Sequence, residues 1–406
     1  MKRKSMNSTN RLILLFMSVY MVSYITRINY AAIIAEIERE TGMPRTALAA
    51  ALTSSSVFYG AGQFLSGYCG EKFRPKRLIF AGILVSAAMN VVMCFGNSSQ
   101  LMIPVWCVNG LAQAFLWPPM VRLMVALFKG SDYDRASTVI SWGASFGTIL
   151  VYLAAPAVIT LSGWRAVFGI SAACGIVMAV IWQRHCPEEM TEEKQEKAGR
   201  KEAAERGRVF TPALAAVMLA VMMQGILRDG VTTWMPSYIS ETYHLSSAVS
   251  ILTNVVLPVF GILCMGLAIR FYEKFWRNPM QCGGVFFGVG AMAALLLTLL
   301  SGHSALGSVF SSALLTGCMH GVNLILICMV PPLFQKQGNV SMVSGLLNSC
   351  TYVGSALSTY GIAVLSEHAG WKMTSFAWCL VAVLGMGLCF LSMRAYQQER
   401  GKKYAK

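Results

Sequence analysis

Two arginines stand where a purely structural helix would not carry them. Arg27 and Arg228 each fall in the middle of a long apolar run. An arginine near the centre of a membrane helix costs ~2.5–3.5 kcal/mol or more on insertion scales, so each must face a protein interior or a wet cavity. The guanidinium stays charged at any relevant pH, and its fork grips a carboxylate or phosphate through two parallel hydrogen bonds. Two such forks at matched depth form a clamp for an anion. Tyr20, Tyr24 and Arg27 are spaced i, i+4, i+7, which is one face of a helix, so two phenol hydroxyls join the first arginine. Asp229 stands next to Arg228, but neighbours on a helix point about 100° apart, so it is expected to pair with another helix. His320 lies in an apolar run and titrates near neutrality, which makes it, with Asp229, a candidate for proton coupling. Gln63, Asn109, Gln113, Arg122, Asn323, Asn348 and Tyr352 are further polar groups inside apolar runs. Most groups of that kind serve as helix-to-helix hydrogen bonds.

The elements that position these residues are legible from composition. The chain has 406 residues, 55% hydrophobic and 13% charged, with a mean hydropathy of +0.56. Twelve spans of ~20 residues would use about 240 residues, which excludes a large soluble catalytic domain. Six apolar runs lie between Leu12 and Trp182 and six more between Ala213 and Leu391, separated by a charged stretch. This predicts a bundle over 1–184, a charged cytoplasmic linker over 185–209, read as a solvated tether, and a second bundle over 210–406. The basic run before Leu12 resembles a signal-peptide start, but the apolar stretch after it is long, contains Arg27 and lacks a small-residue cleavage pattern. It is expected to remain as the first helix.

Lys and Arg concentrate in alternate loops, around Lys72, Arg74, Lys76 and Arg77, at Lys129 and Arg135, in the linker and at both ends. The positive-inside rule then places both termini and the linker in the cytoplasm of a multi-pass inner (plasma) membrane protein. The formal charge of +15 follows from topology and anionic headgroups, without nucleic acid. The twelve cysteines are scattered singly, with no metal-ligand spacing, so neither disulfides nor a metal site is expected. No nucleophile–base pair or phosphate loop is present, so no enzyme and no cofactor is expected. The expected partners are a small anionic solute and the lipid bilayer, and the chain is read as a monomer.

The two sets of six repeat each other. Arg27 with Glu40-Thr41 recurs as Arg228 with Glu241-Thr242 at an offset of 201, and Gly163-Trp164-Arg165 recurs as Gly370-Trp371-Lys372, with Gly147 as Gly354, at an offset of 207. Parallel repeats of this kind are one architecture of secondary transporters. The fold expected is therefore an all-α integral membrane protein of twelve transmembrane helices in two pseudo-symmetric six-helix bundles.

The loop Gly67-Tyr68-Cys69-Gly70-Glu71-Lys72-Phe73-Arg74-Pro75-Lys76-Arg77 resembles the G-x-x-x-[DE]-[RK]-x-G-x-[RK]-[RK] signature of the major facilitator superfamily, departing from it at Arg74. Gly67, Glu71, Lys72 and Arg77 are its gating positions. Within that superfamily the chain resembles the organophosphate:phosphate antiporters, the glycerol-3-phosphate and hexose-phosphate transporters and their transporter-like sensors. The pieces that carry this are Tyr20/Tyr24/Arg27, Tyr59 to Phe64, Trp117-Pro118-Pro119 with Arg122, Leu227-Arg228 with Trp234, Pro236 and Tyr238, and Thr351 to Gly354. The resemblance implies that Arg27 and Arg228 bind a phosphoryl group and that Tyr20, Tyr24 and Tyr352 line the same cavity. A family lysine is Gln63 here, a family histidine is Phe146, and a cavity tyrosine is His320, so Gln63 and His320 are carried as substrate-binding positions of altered chemistry.

The function expected is secondary active transport of a small organic anion, an organophosphate or similar, by alternating access with exchange or symport. The alternatives are a proton-coupled carboxylate or sugar-acid symporter and a membrane sensor of phosphorylated ligands.

Overall fold

The computed structural model of the chain describes residues 2–187, 211–244 and 256–404. The expected linker lies, from residue 188 onward, outside the described residues, as does the beginning of the apolar run from Ser247. Long apolar segments become helices here because a backbone in lipid must satisfy its polar groups within the segment. The first half holds α1 (Lys2–Thr41), α2 (Arg45–Lys72), α3 (Pro75–Cys94), α4 (Ser99–Ala114), α5 (Trp117–Leu127), α6 (Ser131–Ser162) and α7 (Trp164–His185). The second holds α8 (Pro212–Tyr243), α9 (Val256–Lys274), α10 (Pro279–Leu300), α11 (Ala305–Asn323) and α12 (Val340–Tyr404). Starts are marked chemically: Pro75, Pro212 and Pro279 occupy first-turn positions, where a missing N–H is harmless, and the Thr211 and Asn278 side chains accept from Leu214 N (3.2 Å) and Met280 N (2.9 Å).

α4 and α5 together make one crossing, and α12 is two helices joined at Gly370, so each half contributes six crossings. Ten helices among the described residues are long and apolar enough to span a membrane. α2 falls short of that measure because Thr53, Ser54, Ser55, Ser56, Tyr59, Gln63 and Ser66 dilute its apolar surface. By contacts the chain forms two compact units, 1–207 with 331–349 and 208–330 with 350–406.

The sequence repeat is also a repeat of backbone geometry. Gly163 and Gly370 have φ of 76° and 75°, a left-handed conformation that L side chains rarely adopt, and each ends one helix as a tryptophan begins the next. Gly147 lies against the Met21 carbonyl, 2.5 Å from where its Cβ would be, and Gly354 lies against the Met222 carbonyl at 2.2 Å. Met21 and Met222 are themselves at the 201 offset. Gly110 likewise lies against the Ser55 carbonyl and Gly317, 207 residues on, against the Phe260 carbonyl. In both halves, then, a glycine brings the first helix against the fifth, and another brings the second against the fourth.

The fourth crossing departs from α geometry at one repeat position by two different routes. Between α4 and α5 the chain turns at Phe115–Leu116, because Pro118 and Pro119 cannot donate to the carbonyls of Ala114 and Phe115. Adding 207 to that position reaches the end of α11, where residues Leu324–Cys328 form a π-helix. All five of these residues are buried.

Unit 1 contains a buried polar cluster that sets the rotation of α1. Asn29 donates to Asn90 Oδ1 (2.6 Å), Asn90 donates to the Thr26 carbonyl (2.9 Å), Ser86 donates to Asn109 Oδ1 (2.7 Å), and Gln113 donates to Thr26 Oγ1 and Ser86 Oγ (both 2.8 Å). Asn109 and Gln113 thus have the helix-to-helix role expected of them. Among the described residues of unit 2, Asn323 Nδ2 lies 3.4 Å from Gln224 Oε1.

Gly147→Ala and Gly354→Ala should each destabilise the protein by about 1–3 kcal/mol, because the new Cβ meets backbone rather than a movable side chain. Gly361→Ala, with nothing within 4 Å, should be neutral or slightly stabilising. Thermal unfolding of the three variants in detergent checks this.

Candidate functional site

In unit 1 the three residues spaced i, i+4, i+7 share one face of α1. The Tyr20 and Tyr24 rings meet edge-on at 5.2 Å, and the Arg27 guanidinium lies 4.4 Å from the centroid of the Tyr24 ring and 4.6 Å from that of Tyr59. Tyr20 also leans on Trp117, with centroids 4.7 Å apart. The cause is the opposite face of the helix. Thr26 and Asn29 are drawn into the buried cluster, so Arg27, one position on, is turned away from it. Aromatic faces suit a guanidinium there, since the ring quadrupole attracts the cation without neutralising it. Tyr59 and Trp117 entered the sequence reading only as pieces of the resemblance. Their ring contacts join three helices, and no spacing within one helix signals that.

Gln63 is fully buried on α2. Its Oε1 accepts from Asn348 Nδ2 at 3.1 Å, and its Nε2 has no hydrogen-bond partner among the described residues. Phe146, at the other departure from the family pattern, has an exposed ring.

The signature loop builds a helix cap. Glu71 Oε1 accepts from the backbone N–H groups of Ser341 and Met342 (3.1 Å for the latter), at the start of α12. Its other oxygen lies 3.5 Å from Arg122 Nε, and Arg122 also donates to the Gly70 carbonyl. A carboxylate at a helix N-terminus satisfies orphan donors and meets the positive end of the helix dipole. Gly67 makes the approach feasible: its Cβ would lie 2.9 Å from the Ser341 carbonyl. Arg74, where the signature has glycine, caps α3 at φ −66° and ψ 115°, a conformation open to any residue, so the departure carries no strain. Lys72 and Arg77 are not drawn to Glu71. Lys72 lies over the Tyr68 ring at 4.2 Å and Arg77 is exposed. Lys76, read from sequence only as one of the basic residues of this loop, is buried and donates to the Cys186 carbonyl at the end of α7 (2.8 Å).

In unit 2 the expectation for Asp229 is corrected. Its ion pair is with its own neighbour: Arg228 Nε donates to Oδ1 at 2.6 Å and Nη2 to Oδ2 at 3.0 Å. The 100° between adjacent Cβ directions does not separate them, because arginine's three methylenes let the guanidinium swing back over that angle. Ser355 of α12 hydrogen-bonds the same carboxylate, and His320 of α11 lies within electrostatic reach of the pair. The His320 ring packs on Gly261, and its Nδ1 meets the Thr316 carbonyl at 2.9 Å. Tyr352 is half-buried on α12 between Thr351, whose carbonyl packs on Gly225, and Gly354. Each unit thus presents one arginine with aromatic or acidic neighbours. Among the described residues no cluster of metal-ligating side chains occurs.

Helices of this number and repeat, a cap of this kind in the signature loop and an arginine in each half define a membrane transporter of the two-bundle type. The Major Facilitator Superfamily profile matches residues 16–359, and the chain belongs to that superfamily. It is 21% identical to a probable hexose phosphate transport protein of Chlamydia muridarum, over 90% of this chain and 87% of that one. It is 24% identical to the glycerol-3-phosphate transporter of Bacillus subtilis, over 68% and 67%, and 22% identical to the membrane sensor protein UhpC of Salmonella typhimurium, over 92% and 88%. Among solved structures, FucP in the outward conformation superposes with a TM-score of 0.77 at 11% identity, covering 95% of this chain and 99% of that one. The chain is a multi-pass membrane transporter of the major facilitator fold.

Removing the cap should loosen the start of α12. Glu71→Ala is expected to speed amide hydrogen exchange in the segment around Ser341 and Met342, at a cost of about 1 kcal/mol. Glu71→Gln keeps an acceptor and should lie between the two. Exchange followed by mass spectrometry reads both.

Proposed function

We propose that the protein carries a small organic anion across an inner membrane by alternating access, with Arg27 and Arg228 as the groups that bind the anion's oxygens. The observation that carries this reading is the pair of repeat-related arginines, one per unit, each with its guanidinium among side chains of chemical consequence rather than at a helix end. Tyr20, Tyr24 and Tyr352 would supply hydroxyl donors, and Gln63 and His320 would replace the charge and the hydroxyl that the organophosphate family carries there. The named activities of the relatives, hexose phosphate transport and glycerol-3-phosphate transport, support an anion with a phosphoryl head group. Glu71, Gly67, Lys72 and Arg77 are read as the gating loop.

Alternating access needs a ligand that favours the occluded state over the open ones. An anion does so because it lowers the repulsion between two guanidiniums. Without an anion or a proton to replace it, closure is unfavourable, which gives exchange. With Asp229 or His320 taking a proton, the same arrangement gives symport. A proton-coupled carboxylate or sugar-acid carrier is the reading favoured by the Arg228–Asp229 pair, and the likeness to UhpC favours a sensor that binds phosphorylated ligands without moving them. The distribution of Lys and Arg supports a cytoplasmic position for both termini. The protein acts as a monomer, without a cofactor and without catalysing a reaction.

Arg27→Lys and Arg228→Lys should each weaken anion binding by about a hundredfold or more while leaving the protein folded, since a point charge replaces the fork. A thermal-shift screen of purified protein against phosphate, glycerol-3-phosphate, hexose phosphates, hexuronates and dicarboxylates, repeated with both variants, reads the effect through ligand stabilisation of the folded state. Wild-type affinity in either folded variant removes the clamp. Counterflow in proteoliposomes then separates a carrier from a sensor, which gives no flux.

A further inference from the structure

We propose that unit 2 holds an intramembrane lipid site, a cavity between α8 and the two helices of α12 that takes an acyl chain of a bilayer lipid. The cavity measures about 160 Å³. Ile226 of α8 forms one wall, Leu357, Ser358 and Gly361 a second, and Thr374 and Trp378, beyond the Gly370 turn, a third. All of these residues lie within unit 2.

The space comes from small side chains on facing helices. A Cβ on Gly361 would meet no atom within 4 Å. Ser358 and Thr374 turn their hydroxyls back onto their own helices, where Ser358 Oγ donates to the Ser355 carbonyl at 2.8 Å and Thr374 Oγ1 to the Gly370 carbonyl at 3.0 Å. At an offset of 207 the first half has Val151 for Ser358, Ala154 for Gly361 and Ser171 for Trp378, so the residues that shape this cavity are not part of the repeat. The Trp378 side chain is 2% exposed, and its Nε1 is buried without a hydrogen-bond partner among the described residues. Ring carbons, not the N–H, therefore face the space.

That lining selects hydrocarbon. A buried water needs about 2–4 polar partners, and an apolar cavity of this size stays dry and accepts an apolar guest. Lining atoms without neighbours forfeit dispersion contacts, so a filler of matching polarity stabilises the space. No charged residue lines it, which excludes a lipid headgroup as the part that enters, since a charge buried without a partner is costly. The source of the filler follows from where the cavity lies. Leu357 at its edge is 56% exposed, and Phe376 and Leu380, beside Ala377 and Trp378 on α12, are 41% and 50% exposed. These side chains belong to Gly361–Met393 and the turn before it, and Gly361–Met393 is long and apolar enough to cross a membrane. The cavity is thus continuous with an apolar face that meets the bilayer, whose tails are as apolar as leucine.

Trp378 is its own reporter. Bromine on an acyl chain quenches tryptophan fluorescence at contact range, so a tryptophan this buried is quenched only where a chain enters. The full-length protein is reconstituted into vesicles of phosphatidylcholine with dibrominated chains and, separately, into vesicles of the same lipid without bromine. The difference between wild type and Trp378→Phe isolates the emission of Trp378 from that of the other tryptophans. Brominated lipid should remove most of that emission. Gly361→Leu, whose side chain fills the cavity, should restore it. Ala377→Phe fills the same space from the opposite wall and serves if Gly361→Leu does not fold. Equal Trp378 emission in the two lipids overturns the proposal. So does quenching that persists in a folded, filled variant, because it then comes from lipid around the helices and not from the cavity. Quenching of Trp378 by aqueous iodide in unbrominated vesicles marks a water-filled pocket and overturns the proposal as well.

Discussion

A guanidinium at the depth of the hydrocarbon must be accommodated by the protein, because the bilayer offers it neither water nor counter-ion. Most of what surrounds Arg27 and Arg228 follows from that constraint. The two halves meet it differently. Arg27 lies against the faces of Tyr24 and Tyr59 at 4.4 and 4.6 Å, a contact that stabilises the cation. Arg228 shares its fork with a carboxylate at 2.6 and 3.0 Å, which cancels the charge locally. Repeated architecture thus does not imply repeated neighbours around the two arginines.

Where a guanidinium points depends on how its helix is rotated, and that rotation is set on the opposite face. In α1 it is set by hydrogen bonds. Thr26 accepts from Gln113 through its hydroxyl and from Asn90 and Asn109 through its carbonyl, which ties α1 to α3 and α4. In α8 the fixing is mainly steric, through Gly225 against the Thr351 carbonyl and Gly354 against the Met222 carbonyl. Backbone contacts this close allow few alternative rotations, as expected of helices that associate through small residues. The Glu71 cap on α12 belongs to the same logic, since it needs Gly67 to bring α2 close enough for a short side chain to reach the Ser341 and Met342 amides.

Much of this was legible beforehand for a plain physical reason. Hydrophobic runs of spanning length have one structural outcome in lipid, and a repeat in register must produce two similar bundles. The matched φ of Gly163 and Gly370 and the matched contacts of Gly147 and Gly354 are that repeat expressed in the backbone. The spacing of Tyr20, Tyr24 and Arg27 likewise determined a shared face, because helical geometry within one segment leaves no freedom. The partner of Asp229 was misjudged from Cβ directions alone. A long, flexible side chain is not bound by them, and Arg228 folds back onto its neighbour.

The sequence by itself therefore determined the class of fold, the two-fold repeat, the helices and the face each arginine shares with residues of its own helix, all of which are local or periodic properties. Only the tertiary structure decided what meets those faces from other helices: Tyr59 over Arg27, Trp117 beside Tyr20, Ser355 on Asp229, and Glu71 on the start of α12. Such contacts depend on the relative rotation and close approach of segments tens or hundreds of residues apart, which no spacing along a single chain encodes.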